Sequence, residues 1–474
     1  MDLNIGALVI VCAYLVGMLI IGAIVGKLKI KSSEDYMLAG RRMGLFMVAF
    51  SLSANNIGGG STTGLAGKAF GSWGLSAIWY VLAASIAMIP LAFFAPKIRK
   101  AMAVTIPEVV GRRYGKSSAT FSAILNIIAL FCLTSSQIAA SGAVVATLTG
   151  IPLNVCLLIA GLVVILYTTL GGMIADQISD FVQFLIILIG LAIATPFVVH
   201  GCGGWSNIAS KLPGGQLNIV KIGWVPIIGY IFNYFCTFLS GPEMISRFES
   251  AKDEKTAFRA SLLSGVLMAA MSAFPTILGL AALAVMPEVP SGQAMMAVTS
   301  THAPMIITGL VSAAIISATM SSSDSNLLCM STMVMNDLYK PFAKRELSDR
   351  ETILWTRICN VVFCLVAMCI SFFGVNIVTM NTFAFAIRCA GPFAAYGFGL
   401  VIPKATKHSG QISIITGTIG VIFWQILSGG DFYLGILPVV FGCFVGMVTF
   451  FVVNAIEWKM GVSPAPSAYI DEEA

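Results

Sequence analysis

The sequence predicts an all-α polytopic membrane protein with thirteen transmembrane helices. Hydrophobic residues make up 58% of the 474 residues and charged residues only 10%, and a mean hydropathy of +0.92 excludes a soluble enzyme. Apolar windows of about 20 residues, the length that crosses a bilayer, recur along the chain. They lie at 5–25, 45–67, 73–94, 119–148, 152–170, 178–199, 224–244, 261–286, 305–333, 355–374, 378–402, 410–428 and 433–456.

The positions of lysine and arginine predict the orientation of these spans, because short cytoplasmic loops carry an excess of positive charge. With the N-terminus outside, 23 of the 27 Lys and Arg residues fall on the inner side. The exceptions are Lys68, Lys211 and Lys221 in outer loops and Arg388 within a span. One missed or extra span would place every later loop on the opposite side of the membrane. The consistent charge bias therefore supports both the number of spans and their orientation. We therefore expect a multi-pass protein of the inner (plasma) membrane, with the N-terminus outside and the C-terminus in the cytoplasm.

The second span is interrupted by a polar, glycine-rich segment. Residues 51–64 read Ser-Leu-Ser-Ala-Asn-Asn-Ile-Gly-Gly-Gly-Ser-Thr-Thr-Gly. Each glycine lowers helix propensity by about 1 kcal/mol relative to alanine, and non-helical backbone at membrane depth must line a polar cavity. We predict a broken helix whose free carbonyl and amide groups hold ions or substrate near the bilayer midplane. A glycine-rich face for helix packing is the alternative.

The loops between the spans are short, so the chain is predicted to be a single membrane domain. The inner segment 106–115 has the pattern of a short amphipathic helix at the membrane surface, and the tail 464–474 is expected to be loose.

The seventh span contains a second break, because Ser240-Gly241-Pro242 should end a helix. The two broken spans are five spans apart, and an odd offset inverts the second unit relative to the first, as in the inverted repeats of secondary transporters. We assign the lead helix to 5–25, repeat one to 45–199, repeat two to 224–402 and two extra helices to 410–456. A simple proline kink is the alternative.

Charged residues inside a membrane are costly and usually functional. Asp324 lies in Met-Ser-Ser-Ser-Asp-Ser-Asn, where helical spacing places it on one face with Ser321 and Ser325. Such oxygen ligands suit a small hard cation, so this face is a candidate cation site. The alternative is that the serine hydroxyls only donate hydrogen bonds to carbonyls of their own helix. Asp180, near the inner end of its span, either faces an aqueous vestibule or acts as an N-terminal helix charge.

Arg388 is placed well inside the span 378–402, and a guanidinium at that depth needs a partner. Either it pairs with a protein carboxylate such as Asp324, or it receives the carboxylate of a substrate through two hydrogen bonds. Glu243, just beyond the second break, is interpreted as a gate or loop carboxylate.

Several function classes are disfavoured by what the sequence lacks. The eleven cysteines form no C-x-x-C or Cys/His cluster, so disulfides and a structural metal are not expected. His200, His302 and His408 lie in loops or at span ends, which argues against a membrane enzyme. The net charge of +6 follows from the inner-loop lysines and arginines, so no nucleic-acid partner is expected.

Five stretches spread over most of the chain resemble a known family. They are Asp35-Tyr36-Met37-Leu38-Ala39-Gly40-Arg41, Ser51 to Gly60, Leu166-Tyr167-Thr168-Thr169-Leu170-Gly171-Gly172-Met173, Ser317-Ala318-Thr319-Met320-Ser321-Ser322 and Asn336-Asp337-Leu338-Tyr339-Lys340. Together they are similar to the sodium/solute symporters, in the branch of proline- and pantothenate-type transporters. The resemblance implies a LeuT-like core of two inverted five-helix repeats.

The resemblance also implies the ion sites. The principal sodium ligands would be backbone carbonyls and hydroxyls of Ala54, Ile57, Ala318, Ser321 and Ser322. A possible second cation site would use Asp180, Asp324 and Ser325. Asp324 stands where the family usually has a small or hydroxyl residue, so it would strengthen cation binding or titrate with a coupling proton.

Substrate contacts are expected, by the same resemblance, from four helices. The contact residues are Asn55, Asn56, Gly59 and Gly60 on the first core helix, Ser136 and Gln137 on the third, Asn233, Tyr234 and Phe238 on the sixth, and Arg388 on the tenth. Asn56 stands where proline-type members have an aspartate, which argues against proline as the substrate.

The expected function is sodium-coupled secondary active symport by alternating access. The partners would be the lipid bilayer, Na⁺ as the coupling ion and a small organic solute, and the protein would work as a monomer. Arg388 and the lack of a sugar-like array of acidic and aromatic residues favour a carboxylate such as an amino acid or organic acid. A proton-coupled carrier and a sodium-coupled sugar or polyol symporter on the same fold are the alternatives.

Overall fold

The computed structural model describes residues 5–30, 32–343, 345, 347–374, 377–429 and 433–469. These residues form nineteen α-helices. The helices are α1 Ile5–Lys29, α2 Ser33–Leu38, α3 Leu45–Asn56, α4 Leu65–Phe70, α5 Trp79–Ala101, α6 Ile106–Tyr114, α7 Lys116–Thr149, α8 Leu153–Gly201, α9 Trp205–Lys211, α10 Trp224–Leu239, α11 Pro242–Ser250, α12 Glu254–Val285, α13 Ala294–His302, α14 Met305–Met333, α15 Asp349–Ser371, α16 Ile377–Ala390, α17 Pro392–Val401, α18 Lys407–Ser428 and α19 Pro438–Lys459.

The all-α polytopic class is confirmed. Within the described ranges, nine helices are long and apolar enough to cross a membrane, and the pair α16 and α17, bent by 48°, would make a tenth. The exact count of thirteen is not confirmed, since the predicted spans 45–67, 152–170 and 224–244 correspond to shorter or broken helical segments. The third span is also shifted, because α5 begins only at Trp79 and runs to Ala101. Thirteen crossings therefore remain a prediction.

The two predicted spans 152–170 and 178–199 both lie in α8, which consists of two helices joined at a kink. Gly172 interrupts it with φ 56° and ψ −176°, a backbone conformation that L side chains rarely adopt. A Cβ atom at Gly172 would also lie 2.7 Å from the ring of Tyr36. A glycine is therefore required where the chain turns between the two halves of α8.

Small residues allow the helices to approach closely, as is usual in membrane bundles. A Cβ at Gly279 of α12 would lie 2.2 Å from the carbonyl oxygen of Ala66 in α4. A Cβ at Gly417 of α18 would lie 1.9 Å from the carbonyl oxygen of Ala390 in α16. Any larger residue at these two glycines would push the helices apart.

The outer faces of the helices are apolar. Phe93, Val266, Ile306 and Ile426 are each at least 65% exposed, and many other large apolar side chains line the same surface. A water-facing protein rarely exposes such continuous apolar area. This surface fits contact with lipid.

Two segments outside the predicted spans, 106–115 and the start of the C-terminal tail, are ordered. The predicted helix at 106–115 is confirmed as α6, whose first turn is capped by the Thr105 hydroxyl accepting from the Glu108 N–H. The prediction of a loose tail is wrong for residues 464–469: the Ala465 N–H donates to the Ala405 carbonyl at 2.8 Å. Residues 470–474 of that predicted tail lie outside the described residues.

Candidate functional site

The first break lies between α3 and α4, as predicted. α3 ends at Asn56, Ile57 leaves the helix with φ −96° and ψ 78°, and a wider turn of π-helix follows at Gly60–Gly64. The freed backbone groups find partners nearby: the Gly59 N–H donates to Gln137 Oε1 at 2.8 Å, and the Ser61 hydroxyl donates to the Asn56 carbonyl at 3.0 Å. Several of the polar groups at the break therefore have partners within the protein, as membrane depth requires.

A seam of oxygen atoms joins this break to α14. The Ser322 hydroxyl lies 2.8 Å from the Asn55 carbonyl and 3.1 Å from the carbonyl of Ala318 on its own helix. The Ile57 carbonyl accepts no hydrogen bond among those of the described residues. A free carbonyl and a bridging hydroxyl at one helix contact are the kind of hard ligands that a small cation can use.

The five predicted sodium ligands are placed as follows. Ala54 and Ile57 lie at the end of α3, and Ala318 and Ser322 lie across the seam. Ser321 points away from the seam, because its hydroxyl donates to Asp180 Oδ1 at 2.5 Å. Ser322 therefore contacts the end of α3, whereas Ser321 is linked to a carboxylate of α8.

A buried cluster of charges lies beside this seam. Asp176 and Asp180 of α8 and Asp324 of α14 each place one carboxylate oxygen within 4.8 Å of the other two. Arg247 of α11 donates to Asp176 Oδ2 at 3.0 Å and to Asp180 Oδ2 at 2.7 Å. All four side chains are almost completely buried. The cluster therefore contains three carboxyl groups but only one guanidinium to balance them.

This cluster corrects three sequence interpretations. Asp180 faces neither a vestibule nor a helix end: its carboxylate accepts from Ser51 of α3 at 2.5 Å and from Ser321 of α14. Arg247 was counted as an inner-loop residue, yet its side chain is fully buried. Asp176 was not singled out. Its spacing of four residues from Asp180 on one helix face was the available signal.

Ser325 and Asp324 of the predicted second cation site belong to the same cluster. The Ser325 hydroxyl donates to Asp176 Oδ1 at 3.0 Å. Asp324 Oδ1 accepts from the Ser325 N–H, whereas Asp324 Oδ2 is buried without a hydrogen-bond partner in the described structure. Arg247 therefore contacts two of the three residues that the second cation was expected to use, Asp180 and Ser325.

The second break is also confirmed. α10 ends at Leu239 and α11 begins at Pro242. Glu243, in the first turn of α11, accepts a hydrogen bond from Arg388 of α16, with 2.6 Å between Nη1 and Oε1. Arg388 is thus paired internally, and its partner is Glu243 rather than Asp324.

A cavity lies between the two breaks. It has a volume of about 60 Å³, well above the roughly 15 Å³ that a single water needs. Sixteen residues line it: Asn55, Asn56, Gly58, Gly60, Ser61, Tyr80, Leu133, Gln137, Tyr234, Phe238, Glu243, Ser322, Asn326, Asn381, Phe385 and Arg388. Only a small solute fits this shape.

Seven of the ten predicted substrate residues line the cavity and three do not. Gly59 is covered by Ala140, the Ser136 hydroxyl donates to Asn381 Oδ1 at 2.6 Å, and Asn233 is buried beside the cavity. Among the lining residues that sequence reasoning missed are Tyr80 and Asn381. A lone tyrosine or asparagine in an apolar span gave no distinguishing pattern.

Comparisons with known proteins agree with this architecture. The model of the sodium:solute symporter family matches residues 36–417. This chain belongs to that family. It is 27% identical to the osmoregulated proline transporter OpuE of Bacillus subtilis, over 96% of this chain and 95% of the relative. It is 26% identical to a sodium/proline symporter of Salmonella typhimurium, over 94% and 92% respectively.

Solved structures show the same fold. A Na⁺-coupled sialic acid symporter, in a substrate-bound outward-open state described as revealing a novel Na⁺ site, aligns with a TM-score of 0.81 at 20% identity, covering 97% of this chain and 98% of the other. Mhp1, a nucleobase-cation-symport-1 family transporter in a closed conformation with bromovinylhydantoin bound, aligns with a TM-score of 0.62 at 14% identity, covering 92% and 96%. The predicted LeuT-like fold is confirmed.

Family membership decides the class of function. This symporter is a multi-pass membrane transporter that couples the movement of a small organic solute to sodium, and it is not an enzyme. The predicted family is likewise confirmed.

Proposed function

We propose that this symporter imports a small carboxylate-bearing solute together with Na⁺ by alternating access. The observation that carries the proposal is the shared wall between the α3–α14 seam and the cavity. Asn55 and Ser322 form the hydrogen bond across the seam and both also line the cavity. An ion at the seam and a solute in the cavity would therefore act on the same two residues.

Sodium at this seam would use the Ala54, Ile57 and Ala318 carbonyls with the Ser321 and Ser322 hydroxyls. To bind, the ion takes the place of the hydrogen bonds that these hydroxyls now make. It would thereby fix α3 against α14 and order the cavity wall at Asn55. By linkage, the solute then raises the affinity for sodium as much as sodium raises the affinity for the solute.

The carboxylate is inferred from Arg388, whose guanidinium is the one cationic group among the described residues that line the cavity. Arginine binds carboxylates through two parallel hydrogen bonds. Two of the relatives named above are proline transporters, and proline bears a carboxylate, which supports this inference. The remaining predicted contacts, Asn55, Asn56, Gly60, Gln137, Tyr234 and Phe238, surround the same space.

Uptake into liposomes tests this proposal. A sodium gradient should drive uptake of a radiolabelled amino acid or organic acid by the wild type, and Arg388→Ala should abolish it while the exposed Arg350→Ala control stays active. Uptake by Arg388→Ala at the wild-type rate, with unchanged inhibition by carboxylates, would exclude the carboxylate. Uptake driven by a pH gradient in sodium-free buffer would favour the proton-coupled alternative, and competition by a sugar would favour the sugar or polyol alternative.

Further features belong to the same proposal. The cluster of Asp180, Asp324 and Ser325 would take a second cation once Arg247 moves, so the number of sodium ions per cycle is one or two.

Repeat one would span 45–199 and repeat two 224–402, between the lead helix and the extra helices. The N-terminus would lie outside, the C-terminus in the cytoplasm of the plasma membrane, and a single copy would transport. Cysteine accessibility from each side of intact cells tests the orientation.

A further inference from the structure

The charged groups that line the cavity form a matched pair. Glu243 carries the only carboxyl group, and Arg388 the only basic group, among the lining residues that the structure describes. Their side chains are 6% and 1% exposed, and Nη1 lies 2.6 Å from Oε1. The pair leaves the lining without net charge, although Arg388 alone would make it cationic.

Each member of the pair keeps an unused polar atom. Glu243 Oε2 and Arg388 Nε are buried and have no hydrogen-bond partner in the described structure. The Asn55 side-chain N–H₂, on the α3 side of the cavity, is likewise buried without a partner. Buried polar groups without partners are costly, so they mark places where a ligand can supply the missing bonds.

The second break positions this pair. A Cβ atom at Gly241 would lie 3.0 Å from Glu243 Oε1 and 3.3 Å from Arg388 Nη2. The carboxylate and the guanidinium therefore pack over the glycine of the break itself. Movement of α11 relative to α10 would shift Glu243 with respect to the cavity.

We propose that Glu243 is a specificity residue that accepts the ammonium group of a zwitterionic solute whose carboxylate is bound by Arg388. The inference rests on the proposed symport of a carboxylate and goes beyond it, because it makes the amine a requirement. An α-amino acid carries both charges on substituents of one carbon atom, so its charges are adjacent, as are those of the pair. Oε2 of Glu243 accepts from the ammonium, while Nε of Arg388 and the Asn55 amide donate to the carboxylate.

The same arrangement rejects related molecules. A carboxylate without an amine would bring a second negative charge towards Glu243, and an amine without a carboxylate would bring a positive charge towards Arg388. Either leaves a buried group unpaired, which is how polar sites discriminate strongly. An N-trimethylated betaine keeps both charges but has no N–H to donate to Glu243, so it should also bind weakly.

Ligand-induced thermal stabilisation of the purified full-length protein tests this inference even before the substrate has been identified. The twenty L-amino acids are screened in sodium chloride. The one with the largest shift in Tm is then titrated beside its deaminated acid, its decarboxylated amine and its N-trimethyl betaine. The same titrations are made with Glu243→Gln, which keeps the size of the side chain, and with the exposed Glu288→Gln as the matched control.

The wild type and Glu288→Gln should bind the amino acid about tenfold to hundredfold more tightly than each analogue, the range expected for a hydrogen bond to a charged group. Glu243→Gln should lose most of that ratio between the amino acid and its deaminated acid, a change that a purely structural role would not produce. If Glu243→Gln fails to fold, the wild-type analogue series alone decides.

Two results would overturn the inference and can be told apart. Equal affinity of the wild type for the amino acid and its deaminated acid would remove the role of Glu243 but leave symport of a carboxylate intact. Stabilisation by an uncharged sugar or polyol, with none by any carboxylate, would remove both the inference and the carboxylate part of the proposed function.

Discussion

Replacing Arg247 by glutamine should be among the most destabilising single changes in the protein. The side chain is fully buried. Its guanidinium donates hydrogen bonds of 2.5–3.0 Å to acceptors on α3, α8, α11 and α14. The acceptors are the Ser51 and Ser325 hydroxyls, the Asp176 and Asp180 carboxylates and the backbone carbonyl of Glu243. Four helices therefore meet at one positive charge.

The magnitude follows from what Arg247→Gln leaves behind. Asp176 and Asp180 lose their cation, and breaking a buried pair by removing one partner costs about 3–5 kcal/mol of unfolding free energy. Asp324 lies within 4.8 Å of both, which adds to the repulsion. Adding Asp180→Asn to the variant removes one of the uncompensated charges, so the double variant should recover part of the loss.

The assay is reversible denaturant unfolding in detergent micelles, with Arg259→Gln as control because that arginine is exposed on α12. The control should stay within about 0.5 kcal/mol of the wild type. If Arg247→Gln costs less than about 1 kcal/mol, or if Asp180→Asn adds to the loss instead of relieving it, the cluster is not held together by this charge.

Three further predictions concern other parts of the chain. Gly241→Ala should reduce uptake severalfold with little loss of folded protein, because its Cβ would meet the Thr237 carbonyl at 3.0 Å; wild-type uptake would show that the break tolerates a side chain. Gly172→Ala should lower the free energy of unfolding by at least about 1–2 kcal/mol, since φ is 56° there, and unchanged denaturant unfolding would contradict the turn within α8. Burial in α11, beyond the end of the predicted span 224–244, raises the pKa of the Glu249 carboxyl to about 8, although Arg41 beside it acts in the opposite direction. The folded state then binds more protons than the unfolded state between about pH 4.5 and 8, so stability falls as pH rises through this window; Glu249→Gln should show a flatter profile of Tm against pH, and parallel profiles would refute the assignment.

The sequence predicted the class of fold, the two breaks and the family because each depends on local chemistry. Runs of apolar residues, a Gly58-Gly59-Gly60 sequence and a Ser-Gly-Pro step have the same backbone consequences wherever they occur. The helix bounds were less accurate where no such signal exists. The third span, for example, was predicted to begin at residue 73, whereas α5 begins at Trp79.

Pairing between distant residues could not be read from the sequence. The partner of Arg388 is 145 positions away at Glu243, and nothing in either segment distinguishes that carboxylate from Asp324. The same holds for Cys236, Cys389 and Cys443, which come from three separate helices and place their sulfur atoms within 4.8 Å of one another. Such contacts depend on how the helices pack, and helix packing is set by shape over many residues.

The central claim, that sodium binds at the seam between α3 and α14, is tested most directly by the Tm of the purified protein in sodium chloride and in choline chloride. A ligand that binds only the folded state raises its stability, by about 2.7 kcal/mol at one hundred times Kd. The variants are Ser321→Ala and Ser322→Ala, and Ser323→Ala is the control because its hydroxyl donates back to the Thr319 carbonyl of its own helix. We predict that sodium raises the Tm of the wild type and of Ser323→Ala, and that the two variants lose the effect. No sodium effect on the wild type, or an undiminished effect on both variants, would contradict the account.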